Sequence, residues 1–305
     1  MKNFISYLFY WVIAVVLILE LSLCIFDFSA KTMPTKNIDG NYLFEPGKSG
    51  YWLRGGLGEI KSYYQINPQG FNSILDYEKL NHEKLNIALI GDSYVQGFHS
   101  DVRNSVGRQL ESILGSDVEV HEYGRAGSGI VDYALTYEQY IKDRNYDYVF
   151  VLCTDKDLAS LRASNIGRGD RVPLKSTSRI VYDNFRAFRY ININHGLGVT
   201  LNTLLNNGPT SIERINSNDS VAPLSQKEYL KQINHDALKL LPSSVIFLFE
   251  NEKLNEFFIQ NYNFQYVKIV HEKLPKDHGF DSHWNKNGRY NCALAMSKKI
   301  ITKGH

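Results

Sequence analysis

Five short apolar runs, at 85–90, 117–123, 148–153, 244–250 and 265–270, alternate with helical patterning at about 102–115, 130–143, 225–240, 251–261 and 286–302. That alternation constrains the fold more than any other feature of the chain. Strands alternating with helices suit a parallel sheet with helices on both faces. The expectation is an α/β domain: a flavodoxin-like parallel sheet of about five strands flanked by helices. The 305 residues, 43% hydrophobic, suffice for one such domain with an appended segment.

The appended segment is N-terminal. Phe4 to Phe26 is almost wholly apolar, with Glu20 towards its distal end. At about 1.5 Å of rise per residue, a helix of that length spans a hydrocarbon core. It is too long for the apolar region of a signal peptide, and no small-x-small cleavage site follows. Residues 1–27 are therefore expected to be an uncleaved transmembrane anchor. Glu20 would reach the interface or be protonated, because a carboxylate at the bilayer centre is costly. Lys2 favours an internal N-terminus, while Lys31 and Lys36 on the far side argue back. Residues 28–80, rich in Gly, Asn and Tyr, suggest a stalk and an irregular cap. The catalytic-type domain is expected over 81–305, with an insertion at about 160–224 that breaks the alternation.

Charge narrows the partners. A net charge of +2 and the absence of a zinc-finger or basic-region pattern give no support for nucleic acid. Within 160–190, Arg162, Arg168, Arg171, Lys175, Arg179, Arg186 and Arg189 face only two acids, Asp170 and Asp183. This is either a solvated loop or an electropositive rim for an anionic glycan or lipid head group. The interspersed Tyr182, Phe185, Phe188 and Tyr190 either stack on sugar rings or form the insertion's own small core. The three cysteines, Cys24, Cys153 and Cys292, are too scattered for a disulfide framework. Cys153 and Cys292 suit small buried hydrophobes.

Two segments carry chemistry. Gly91-Asp92-Ser93 closes the run Leu85–Ile90, so a buried strand breaks at glycine into a helix start. This exposes a serine Oγ at the carboxyl edge of the sheet among unpaired backbone N–H groups. A serine hydroxyl is a weak nucleophile and needs an adjacent base oriented by a third group. Of nine histidines, His283 alone has Asp two residues earlier and Trp-Asn-x-x-Gly after it, within Asp281-Ser282-His283-Trp284-Asn285. His283 is thus the candidate base and Asp281 its orienting acceptor, although a helix cap explains either residue as well. His278 with Asp277 is a weaker pair. Candidate oxyanion donors are the backbone N–H groups of Ser93 and of Gly124, which follows the run at 117–123. Asp92, Tyr94 and Trp284 flank the two segments and are candidates for contact with substrate. Gly124-Arg125-Ala126-Gly127-Ser128-Gly129 lacks the acidic partner of a dinucleotide fingerprint. No cofactor is implied, and no metal-ligand cluster stands out.

These blocks resemble those of the SGNH (GDSL-like) hydrolase superfamily. Gly91-Asp92-Ser93 matches its first block, Gly124 its second, and Asp281-Ser282-His283 its last. The two-residue Asp–His spacing is similar to that of a membrane-anchored bacterial branch linked to polysaccharide O-acetylation and deacetylation. Ile66-Asn67-Pro68-Gln69-Gly70-Phe71 resembles an upstream segment of the same branch. Many members carry Asp three residues before His, where this chain has Phe280. The third block, Gly-x-Asn-Asp, is replaced by Thr154-Asp155-Lys156-Asp157. Lys156 stands where an oxyanion-binding Asn is expected, and it either donates there or pairs with Asp155 or Asp157. Losing one such donor costs about 10²–10³ in kcat.

The resemblance implies a membrane-anchored serine esterase or O-acyltransferase with Ser93, His283 and Asp281 as its triad. Its substrate would be an acylated envelope glycan or carbohydrate ester, acetylated in the sense of the branch, on the extracytoplasmic side. A membrane acyltransferase is the implied protein partner. The rival expectation, motivated by Lys156, is a catalytically silent glycan-binding or scaffolding protein of a polysaccharide assembly system.

Overall fold

The computed structural model describes residues 2–26, 33–38, 41–158, 184–195, 233–249, 261–269 and 281–302. The chain divides into two compact units. One comprises Met1–Thr32, Tyr51–Lys61 and Val172–Pro223, and the other Met33–Gly50, Ser62–Arg171 and Leu224–His305.

In the first unit, α1 (Lys2–Phe26) is apolar on every face. Its stretch Phe4–Phe26, with a mean hydropathy of 2.5, is long and apolar enough to cross a membrane. Phe4, Trp11 and Leu17 are all more than half exposed. Glu20 does not stand alone. Its carboxylate accepts the backbone N–H groups of Arg186 and Ala187 at 2.9 and 2.7 Å. These open a helix at Arg186–His195, two of whose orphan donors are thereby satisfied. That helix is the described part of the 160–224 stretch. Of the seven cations there, Arg186 and Arg189 are described, and Arg189 is buried; it adds nothing to an electropositive rim. Phe185 is exposed.

The second unit is built on the expected parallel sheet. Its strands are β5 (Leu85–Gly91), β6 (Val118–Gly124), β7 (Tyr148–Leu152), β8 (Ile246–Phe249) and β9 (Gln265–Lys268), in the order β6-β5-β7-β8-β9. Every neighbouring pair is parallel. Side chains alternate between two cores because the strand period is two. Ile87 and Leu89 enter one core with Val120, Phe150, Ile246 and Leu248. Ala88 and Ile90 enter the other with Tyr123, Val151 and Phe247. All of these are essentially inaccessible to solvent, and each large one contributes roughly 1.5–3 kcal/mol by its burial.

The helices divide between the two faces. The helix Val106–Leu114 and the C-terminal helix Lys286–Ile301 pack together, placing Val106, Leu110, Cys292, Ala293 and Met296 in the first core. The helix Ile130–Tyr140 and the short helix His235–Lys239 supply Ile130, Tyr133, Ala134, Ala237 and Leu238 to the second. Cys153 and Cys292 are buried free thiols, and burial pushes the Cys292 thiol up to about 12.

Two features depart from the sequence expectation. The patterned stretch at 102–115 is interrupted: a 3₁₀ turn at Val102–Asn104 ends at Ser105, whose hydroxyl then caps Val106–Leu114 by accepting Arg108 N–H. The segment 28–80 is not irregular throughout. It holds β1 (Thr35–Ile38) paired antiparallel with β2 (Asn41–Phe44), and a second two-stranded sheet of β3 (Ser49–Arg54) and β4 (Ile60–Gln65). The expected helix at 251–261, and most of the one at 225–240, lie outside the described residues.

Candidate active site

Register sets the rim. Gly91 pairs with Gly124 on one side and with Leu152 on the other. The loops after β5, β6 and β7 therefore leave the sheet at one level, at its carboxyl edge beside the point where strand order reverses. The loop after β5 is a single helical turn, α2 (Ser93–Gln96), which Asp92 caps by accepting Tyr94 N–H at 3.0 Å. Gly97 ends it in the left-handed region, at φ 74°, where a side chain would be strained. Gly124 is required for a different reason. A Cβ there would lie 2.0 Å from Gln96 N and 2.4 Å from the Val95 carbonyl carbon, so only glycine lets the end of β6 rest on the backbone of α2.

The C-terminal segment reaches the same rim. Asn285, not Asp281, caps the helix Lys286–Ile301 by accepting Gly288 N–H. Asp281 and His283 are left free of helix duty. Ser93 Oγ lies 2.8 Å from His283 Nε2, and His283 Nδ1 lies 2.6 Å from Asp281 Oδ1. The His283 backbone N–H donates to the same oxygen at 3.0 Å. Ionised Asp281 can only accept, so His283 carries its proton on Nδ1 and turns an unprotonated Nε2 to the serine. Burial pushes the Asp281 carboxyl up, but hydrogen bonds from His283 and then His99 outweigh it and hold the group well below the usual carboxylate range.

His99 is the residue that sequence reasoning missed. Its Nδ1 lies 2.6 Å from Asp281 Oδ2, and its ring stacks on His283 with centroids 3.5 Å apart and planes 6° from parallel. No chain neighbour marks it; its acidic partner is 182 positions away. The donor atoms of His99, Asp281 and His283 lie within 4.8 Å of one another. Each Nδ1 lies within hydrogen-bonding distance of one carboxylate oxygen, so the three side chains form a continuous hydrogen-bonded cluster.

The flanking candidates have structural work. Tyr94 packs its ring 4.8 Å from both His283 and Trp284 and donates its hydroxyl to Ser282 O; burial pushes that hydroxyl up to about 12. Trp284 is 1% exposed and belongs to the core against which His283 rests, so it offers no surface to a substrate. Asp92 is the cap already described, and burial, then the nearby Asp157 carboxylate, push it up to about 7. Asp157 itself accepts Thr154 N–H and Oγ–H at 2.7 and 3.0 Å. Lys156 follows on the short helix Asp155–Leu158, with its side chain outside the described set. His278, Asp277 and Phe280 also lie outside it.

Beneath the rim, Arg289 is fully buried and donates to Tyr94 O at 3.2 Å. Burial lowers it to about 10, so it stays cationic, with buried Glu122 and Asp281 as the nearby carboxylates. A cavity of about 320 Å³ adjoins the loop after β6. It is lined by Gly124, Arg125 and Ala126, by Gln96 and Phe98 from around α2, and by Leu43 and Phe44 from β2.

No protein-family model matches the chain, and no curated protein matches it. Solved structures do. A member of the lipolytic protein G-D-S-L family from Veillonella parvula DSM 2008 is 13% identical, with a TM-score of 0.38 over 72% of this chain and 98% of that one. A lipase/acylhydrolase from Enterococcus faecalis is also 13% identical, with a TM-score of 0.38 over 72% and 96%. A carbohydrate acetylesterase family member from Sinorhizobium meliloti is 10% identical, with a TM-score of 0.34 over 71% and 97%. Likeness at this identity concerns the fold, and TM-scores below 0.5 lend nothing to the chemistry.

Proposed function

We propose that this chain is an SGNH-type serine esterase or O-acyltransferase. It is tethered by its N-terminal helix and acts on acyl groups, acetyl foremost, of envelope carbohydrate on the extracytoplasmic side. The observation that carries this reading is the continuous relay of Ser93 Oγ, His283 and Asp281, at 2.8 and 2.6 Å. The sequence blocks around Gly91-Asp92-Ser93 and Asp281-Ser282-His283 support it independently.

In this mechanism Ser93 Oγ attacks the ester carbonyl while His283 Nε2 takes its proton, and Asp281 stabilises the imidazolium formed. The oxyanion of the tetrahedral intermediate is met by backbone N–H groups of Ser93 and Gly124. His283 returns its proton to the departing alcohol, leaving an acyl-Ser93. Water then completes hydrolysis, or a sugar hydroxyl accepts the acyl group; in the second case a membrane acyltransferase is the partner class that fits. The cavity beside Gly124 is the candidate seat for the part of the substrate next to the carbonyl.

Two measurements on the full chain test the reading. Ser93→Ala lowers release of acetate from an aryl acetate by at least about 10³-fold, and a fluorophosphonate probe labels wild-type protein at Ser93. Unchanged turnover in the variant removes Ser93 from the mechanism, and a wild-type protein that neither turns over nor labels favours the silent glycan-binding scaffold.

A further inference from the structure

The esterase mechanism uses one imidazole, yet the site holds two, face to face on one carboxylate. We propose that His99 is a proton-sensing positioning residue: while neutral it fixes Asp281 and the His283 ring, and when it takes a proton it blocks formation of the His283 imidazolium and turns the site off. The kinetic part of this proposal rests on the esterase reading.

The backbone around His99 is fixed. Phe98 is buried, with its ring edge-on to Phe44 and Tyr64 at 5.1 and 5.6 Å. The Phe98 carbonyl accepts the Ser62 hydroxyl, and Ser100 N–H closes the turn onto Gly97 O at 3.1 Å. The His99 ring is thereby held against His283. Each oxygen of Asp281 receives one Nδ1, Oδ2 from His99 and Oδ1 from His283, both at 2.6 Å. An ionised carboxylate cannot donate, so both rings carry hydrogen on Nδ1. The remaining proton-accepting atom of His283 is the Nε2 that faces Ser93, and that of His99 is its own Nε2.

One carboxylate can balance one imidazolium. A second, with ring centroids 3.5 Å away, meets a like charge at close range in a site shielded from water. Catalysis needs that single balanced charge to appear on His283 as Ser93 gives up its proton. A proton already on His99 claims Asp281 first. The two rings must therefore titrate as a pair, with macroscopic steps that belong to both.

Among the described residues, the charged and titratable groups seen near the pair are Tyr94, Arg289, Glu122, Asp101, Arg103 and Asp92. Tyr94 is held protonated by burial. Arg289 is buried and cationic behind Tyr94, with Glu122 behind it. Half-buried Asp101 and exposed Arg103 pair with each other at 2.6 Å. Asp92 is the group titrating in the same pH range, and Asp92→Asn supplies the control background.

The first test is spectroscopic. In full-length protein in detergent micelles, with histidine Cε1 selectively labelled, the His99 and His283 resonances are each expected to follow a two-step titration with shared midpoints. His99→Asn, which keeps an N–H donor but cannot take a proton, assigns the resonances and reduces the His283 curve to one step. In the kinetic test, the acid limb of kcat/KM for aryl acetate hydrolysis moves to lower pH by about half a unit or more in His99→Asn, with or without Asp92→Asn. Independent single-step titrations in the wild type, superimposable acid limbs, or a limb displaced to higher pH would overturn the switch. Failure of the esterase reading looks different: the wild type shows no Ser93-dependent turnover or labelling, and the resonance titration alone then decides whether the two rings are coupled.

Discussion

A serine hydroxyl becomes reactive only beside a base whose tautomer is fixed, and His283 is fixed three ways: by Asp281 at Nδ1, by its own backbone N–H on the same oxygen, and by rings on both sides. Asp92, immediately before Ser93, sits at the opposite extreme. Its folded-state affinity for a proton is raised, to about 7, while in the unfolded chain it titrates near the ordinary aspartate value. Between those two points the folded state binds more protons than the unfolded state, so the contribution of Asp92 to stability falls as pH rises towards 7. Asp92→Asn keeps the cap, since asparagine serves that position equally well, and removes the pH dependence. Relative to wild type, the variant is expected to gain on the order of 1–2 kcal/mol in urea unfolding between pH 5 and pH 8, after discounting for partial exposure. An equal stability difference at both pH values would mean that Asp92 is not proton-bound in the folded state.

At the scale of elements, the turn that carries Ser93 is built by close backbone contact. Gly91 and Gly124, paired across β5 and β6, both lie where a Cβ would strike α2. Gly124→Ala forces backbone to move, because the atoms it meets, Gln96 N and Val95 C, cannot rotate away. The expected cost is about 2–4 kcal/mol, read as a lowered urea midpoint. Retention of the wild-type midpoint would show that the contact is loose. The same scale explains what was legible in the sequence. The interior strands β5, β7 and β8 appear as apolar runs because such a strand is buried on both faces, and Ile87 to Ile90 carry that signal unaided, whereas the edge strand β9 keeps no fully buried residue. The hairpin strands β1 to β4 left no such mark: they are four to six residues long, and Tyr, Asn, Lys and Ser alternate through them without a continuous apolar side. Ser105 broke a helix that periodicity ran together, because capping depends on a single hydroxyl rather than on a repeat. Ser93, His283 and Asp281 were legible from their immediate neighbours. His99 was not, since Phe98 and Ser100 say nothing about a carboxylate on the far side of the sequence.

At the scale of the whole molecule, the relay joins positions 190 residues apart, and β7 and β8 lie side by side although residues 153–245 run between them. Ser93 and His99 belong to the piece before that connection; Asp281 and His283 belong to the piece after it. A chain severed within the connection would therefore hold half a site on each fragment, inert alone. If the proposed activity holds, turnover restored on mixing the two would report the zippering of β7 against β8, which makes this chain a complementation sensor for assembly of its own sheet.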